Sequence, residues 1–172
     1  MSKRYSPASQ DVTHKIAELR EEHYSNEAFE LVTVGALFVF NEAGEPVLTH
    51  RGYPAAALAR IVSSRDRAVG MTDAQIVVDR VVWQGLTTKQ QIALLDHELH
   101  HLEVVLDKDG SVRFDAQDRP KLKIRKHDWE FGWFDEIANR HGADSIERLN
   151  ARRLVEATGQ LYFDFGPQRA AA

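Results

Sequence analysis

The chain has 172 residues, a length that fits one compact domain. Hydrophobic residues make up 43% and charged residues 28%, proportions that support a packed core and exclude a disordered or fibrous chain. Twenty-two basic and 26 acidic side chains give a net charge of −4, which argues against strong unspecific attraction to nucleic acid. The absence of cysteine excludes disulfides, Cys-ligated zinc, iron–sulfur clusters and thiol catalysis, leaving eight histidines as the strong nitrogen ligands.

No apolar run reaches the roughly 18 residues of a membrane span, and residues 1–10 lack the apolar region of a signal peptide, so a cytoplasmic protein without membrane contact is expected. One domain is expected over residues 10–165, with flexible termini at 1–9 and 166–172. Asp11 caps a predicted helix whose Ile16, Leu19, His23 and Ala28 recur near a period of 3.6. Residues 31–40 read as a strand, the turn chemistry of 41–46 follows, and residues 47–50 read as its hairpin partner. Pro54 and the Ala/Leu-rich stretch after it predict a short helix. Residues 74–82 read as another strand, with 70–79 as a candidate edge for an extended substrate.

Thr87 or Thr88 caps the clearest predicted helix, which runs from Lys89 to about Leu106 before the Asp109-Gly110 turn. Residues 112–114 and 121–125 are expected to pair around Pro120. A further helix is predicted from near His127 to the His141-Gly142 pair, a last one over 144–157, and residues 160–165 are apolar. These elements predict an α+β fold, a small sheet with helices packed on it.

Residues 97–101 read His97-Glu98-Leu99-His100-His101 and satisfy H-E-x-x-H inside the capped helix. Four residues are slightly more than one turn, so His97 and His101 share a face and can grip one Zn2+ ion, with another divalent transition metal as the alternative. Glu98 is one step round, where a carboxylate can act as general base on metal-bound water without being a ligand. Ile92, Leu95, Leu99, Leu102 and Leu106 fall on one stripe, and the histidines lie opposite beside Ala93, Leu94 and Val104, so both faces are expected to be buried.

A catalytic zinc keeps three protein ligands and one open position. His127 is the expected third ligand, because Phe131, Phe134 and Ala138 follow it at helical spacing and would dock that face on the motif helix. Glu130 and Asp128 are fallback ligands, and Asp128 is also a candidate for capping a helix or orienting a ligating imidazole. His141 is set aside, since fourteen residues of unbroken helix would separate it from His127 by about 21 Å.

The stretch LLDHELHHLEV (94–104) with RPKLKIRKHDWEFGWFDEIANRHG (119–142) resembles the phage-type metallopeptidase domain family. HRGYPAAALARI and GMTDAQIVVD also resemble it, so the similarity spans roughly residues 10–160. The arrangement is similar to SprT-like zincins, which implies a zincin-like fold with a small, mostly antiparallel sheet and an HExxH helix followed by a second metal-ligand helix. It also implies His97, His101 and His127 as ligands and Glu98 as the catalytic acid/base. The separation to the third histidine and the DWEFGW wording differ from SprT-like patterns.

The remaining features add less. His50, Arg51 and Tyr53 cluster at the end of the predicted hairpin, with Tyr53 and Arg51 as possible oxyanion or substrate contacts. Lys121, Lys123 and Arg125 alternate with Leu122 and Ile124, a pattern that suits edge protection better than phosphate contact. Trp129 and Trp133 read as packing residues, and the Asp107–Ser111 region lacks EF-hand spacing. The expected function is zinc-dependent hydrolysis of a peptide bond in a protein or peptide substrate. The alternative is a catalytically silent, metal-stabilised protein that binds protein or DNA-associated partners. A di-iron carboxylate site would need a second E-x-x-H, which the chain lacks.

Overall fold

The computed structural model describes residues 2–128 and 132–158. Trp129, Glu130, Phe131 and residues 160–165, all considered above, lie outside them. The elements run β1 (Arg4–Pro7), α1 (Gln10–His23), α2 (Glu27–Glu30), β2 (Val34–Phe40), β3 (Thr49–His50), β4 (Tyr53–Pro54), β5 (Ala57–Ile61) and α3 (Ser64–Ala68). They continue β6 (Ala74–Asp79), α4 (Arg80–Gln84), α5 (Thr88–His100), β7 (Leu102–Val104), β8 (Leu122–Ile124), α6 (Asp135–His141), a 3-10 turn (Gly142–Asp144) and α7 (Ile146–Thr158). Among the described residues no helix is long and apolar enough to cross a membrane.

The architecture is α+β with a small, mostly antiparallel sheet of order β1-β2-β6-β5. β2 runs parallel to β6, while β1–β2 and β5–β6 are antiparallel. On one face, Phe38, Ala57, Ala59, Ile76 and Val78 join Val12, Ile16 and Leu19 of α1 and Leu94, Leu95 and Leu99 of α5 in a single buried cluster. On the other face Val39 and Val77 meet Leu48. The alternating side chains of β2 and β6 thus feed two layers, and α5 is pressed onto the sheet beside β5.

Several local expectations are corrected. Arg4–Pro7, expected to be part of a flexible terminus, pairs along β2 from Arg4↔Phe40 to Pro7↔Leu37, because β2 would otherwise expose a free ladder edge. The antiparallel partner of β2 on this side is therefore β1, reached across α1 and α2, and residues 47–50 do not form a hairpin with it. Those residues are drawn elsewhere, since Asp79 Oδ2 accepts the N–H groups of Val47 (2.6 Å) and Leu48 (2.9 Å). β3 closes instead on β4 through Arg51 and Gly52, whose φ values of 49° and 86° suit a type I′ turn. The stretch after Pro54 is a strand, not a helix: pairing with β6 and burial of Ala57 and Ala59 against the core override alanine's helix propensity.

β6 is the buried centre of the sheet and every residue in it is buried, so residues 70–79 do not form an edge. The outer strands are β1 and β5. α5 stops at His100 rather than near Leu106, because Leu102 to Val104 pair with Ile124 to Leu122. Residues 112–114 pair with 121–125 only in part: Lys121 N–H donates to Arg113 O (2.8 Å) beside the isolated bridge Phe114↔Pro120, while Leu122–Ile124 pair with β7. α6 begins at Asp135 rather than near His127, leaving His127 in a non-helical segment.

Asp79, fully buried, ties three segments together: its Oδ1 also caps α4 by accepting from Val81 (3.0 Å) and Val82 (3.3 Å). Replacing Asp79 with Ala strands four backbone donors, so Asp79→Ala is expected to lower stability by about 3 kcal/mol. Urea unfolding measures this, and a loss under about 0.5 kcal/mol contradicts the assigned role.

Candidate metal centre

α5 starts on a capping box: Gln90 N–H donates to Thr87 Oγ1 (3.4 Å) and Thr87 N–H donates to Gln90 Oε1 (3.0 Å). Every residue from Ala93 to His100 is buried, so its polar members are sealed between the sheet and later helices. His101 follows the last helical residue but keeps right-handed backbone (φ −70°, ψ −20°), and the i, i+4 relation to His97 survives the early end of the helix.

The structure brings His97, His101 and His127 together. One ligand nitrogen from each lies within 4.8 Å of the others, a group able to hold a metal ion, and His97 Nε2 stands 3.2 Å from His127 Nε2. Phe134, fully buried, packs against all three rings at centroid distances of 5.1, 4.9 and 4.9 Å. The expectation that the segment after His127 would dock on the motif helix therefore holds through Phe134, although not as one continuous helix.

Two hydrogen bonds behind the rings fix how they face the centre. His101 Nδ1 donates to the carbonyl of Arg125 (2.8 Å), which can only accept, so Nε2 is left bare. His97 Nδ1 is 2.7 Å from Glu147 Oε1, on the first turn of α7. Glu147 was not singled out from the sequence, where a first-turn glutamate reads as an ordinary partner of the helix dipole. Glu98 is 5% exposed and accepts from Ala59 N–H through Oε2 (2.6 Å).

The other candidates fall outside the cluster. Asp128 accepts from Arg125 (3.2 Å) and from the N–H of Asp135 (3.0 Å), which engages its carboxylate away from the histidines. His141 is bound to Asp96 (2.6 Å), and this bond, not helix length, keeps it away from the centre. Tyr53 is 76% exposed on the β3–β4 turn, and among the described residues neither Tyr53 nor Arg51 is hydrogen-bonded to the three histidines. His50, opposite Tyr53, lies near enough for its charge to depress the pKa of His127. Lys123 is paired with Glu103 (2.9 Å) and Arg125 with Asp128, so the expected basic stripe is partly neutralised.

Burial, with the positive fields of neighbouring histidines, lowers His101 to about 3 and His127 to about 4, so both are neutral near pH 7. Burial also acts to lower His97, but the Glu147 hydrogen bond and the charges of Glu98, Glu147 and Asp96 outweigh it and raise the net value. Burial pushes Glu98 above the usual carboxylate range. Between about pH 4 and 6.5, His101 and His127 take up protons on unfolding that they do not hold when folded, so their contribution to metal-free stability falls as pH falls through that window. His101→Gln is expected to flatten the slope of unfolding free energy against pH there, as read from urea titrations. Identical slopes contradict the assignment.

No curated protein and no solved structure matches the chain. A family model described as "Putative phage metallopeptidase" matches residues 5–158, which include the sheet, the motif helix and all three clustered histidines. That match spans most of the 172 residues, and the chain belongs to this family.

Proposed function

We propose that this single-domain chain is a zinc-dependent peptidase that hydrolyses an amide bond in an extended protein or peptide segment. The observation that carries the reading is the convergence of three imidazole nitrogens next to a buried glutamate one residue along the helix. The donor set fits a dication: three nitrogen ligands, two with Nδ1 engaged from behind, match a catalytic zinc site with one position left open. His97, His101 and His127 would hold the ion. When bound, it supplies Lewis acidity toward the scissile carbonyl and lowers the pKa of water at the site.

Glu98 does the proton work in this reading. Ala59 N–H fixes Oε2, and Oε1 has no hydrogen bond among the described residues, so Oε1 accepts a proton from the attacking water and returns it to the departing amine. A carboxyl pushed upward by burial suits that exchange better than an ordinary surface glutamate.

The substrate track is assigned to β5. Asp79 N–H donates to Ala56 O (2.8 Å) and Val62 N–H donates to Asp73 O (2.9 Å), so even-numbered residues of this strand bond toward β6 and odd-numbered ones face outward. Ala59 directs its N–H outward to Glu98, and the outward-facing backbone of Ala57 and Ile61 on either side is where an extended segment can add to the edge. Tyr53 and Arg51, on the exposed β3–β4 turn, are the residues proposed to meet substrate or the developing oxyanion.

Two measurements test this function. Purified protein is expected to carry one equivalent of zinc and His127→Ala to lose it; retained stoichiometry removes that ligand. With a peptide library read by mass spectrometry, Glu98→Gln is expected to keep zinc and cleave about 100-fold to 10,000-fold more slowly. Undiminished cleavage by that variant overturns the proton-transfer role.

A further inference from the structure

We infer that Glu147 is the positioning residue of the metal centre: it fixes the tautomer and orientation of His97 and supplies negative charge for a dication held by uncharged rings. The inference rests on the metal-binding reading above, and it concerns a residue fifty positions from its partner.

Three features of Glu147 point the same way. Its side chain is completely buried, in the first turn of α7 and against α5. Oε1 is 2.7 Å from His97 Nδ1. Oε2 is buried and without a hydrogen-bond partner among the described residues. Burying a carboxylate costs several kcal/mol unless it is well paired, so a half-satisfied one is a poor stabiliser of the fold. What it does supply is a single strong acceptor behind His97. With Nδ1–H committed to Glu147, the lone pair of His97 is at Nε2, the nitrogen that stands 3.2 Å from His127 Nε2.

The charge count supports the same role. Three neutral imidazoles bring no charge to a dication, and burial would make an uncompensated ion costly. Three buried carboxylates adjoin His97: Asp96 before it and Glu98 after it in the helix, and Glu147 behind its ring. Asp96 is already paired with Arg140 (2.5 Å) and Glu98 is needed for proton transfer, which leaves Glu147 as the fixed countercharge.

The test uses Glu147→Gln, which keeps an acceptor and removes the charge, and Glu147→Leu, which fills the space with neither. Long-range 1H–15N NMR of the metal-free protein, recorded at a pH where His97 is neutral, is expected to show the Nδ1–H tautomer of His97 in wild type and a mixture in Glu147→Leu. Chelator competition is expected to show zinc bound about 10-fold to 100-fold more weakly in the variants, with Glu147→Leu the weaker. Urea midpoints of the metal-free proteins are expected to be unchanged or raised, because a half-satisfied buried carboxylate has gone. Equal zinc affinity in all three proteins overturns the inference, as does a variant that unfolds without metal, which would make Glu147 a stability residue. If wild type binds no zinc, the proposed function fails, and that result is visible before any variant is compared.

Discussion

Asp96, His97 and Glu98 are three consecutive residues of one helix, all buried, and each must therefore find hydrogen-bond partners on some other element. Successive helical side chains point about 100° apart, so the partners have to come from three directions. Asp96 receives Tyr24 Oη from the end of α1 and Arg140 and His141 from α6, at 2.6, 2.5 and 2.6 Å. His97 turns to Glu147 on α7, and Glu98 turns to the outward N–H of β5. Satisfying three side chains thus draws α1, α6, α7 and the sheet edge around one helix. The candidate centre lies at their junction because that is where the polar groups are pinned.

The same constraint explains the electrostatics. Asp96 is held at about 2: burial acts to raise it, but the bonds from His141, Tyr24 and Arg140 outweigh that effect, so it remains a fixed negative charge. His101 and His127 are kept neutral by burial and by the positive fields of neighbouring histidines, the state in which an imidazole nitrogen can act as a ligand. Phe134 contacts all three rings and His100 as well, limiting the rotamers they can adopt without supplying a competing polar group. In the proposed centre, preorganisation would come from packing and back-side hydrogen bonds, both of which hold the rings in place.

Features governed by local rules were legible in the sequence. The capping box at Thr87, the four-residue spacing of His97 and His101 and the last helix follow from helix periodicity and termination chemistry. His127 was reached from the apolar residues that follow it, and Phe134 does press that segment against α5, although the helix begins only at Asp135. Features decided by long-range pairing were less legible. Strand β5 reads as helix because alanine favours helix, yet its register with β6 and its burial decide otherwise. The partner of β2 lies at residues 4–7, a tetrapeptide with no alternation of its own. Glu147 was missed because nothing local distinguishes it from any acidic residue in a first helical turn; only the packing of α7 on α5 reveals its partner.

The most direct test of the account is X-ray absorption at the zinc edge on protein loaded with one equivalent of metal. The account predicts back-scattering from three imidazole rings and one additional light ligand, and the loss of one ring contribution in His127→Ala. A spectrum dominated by oxygen ligands, or one unchanged by that substitution, would contradict the claim that these three histidines hold a common ion.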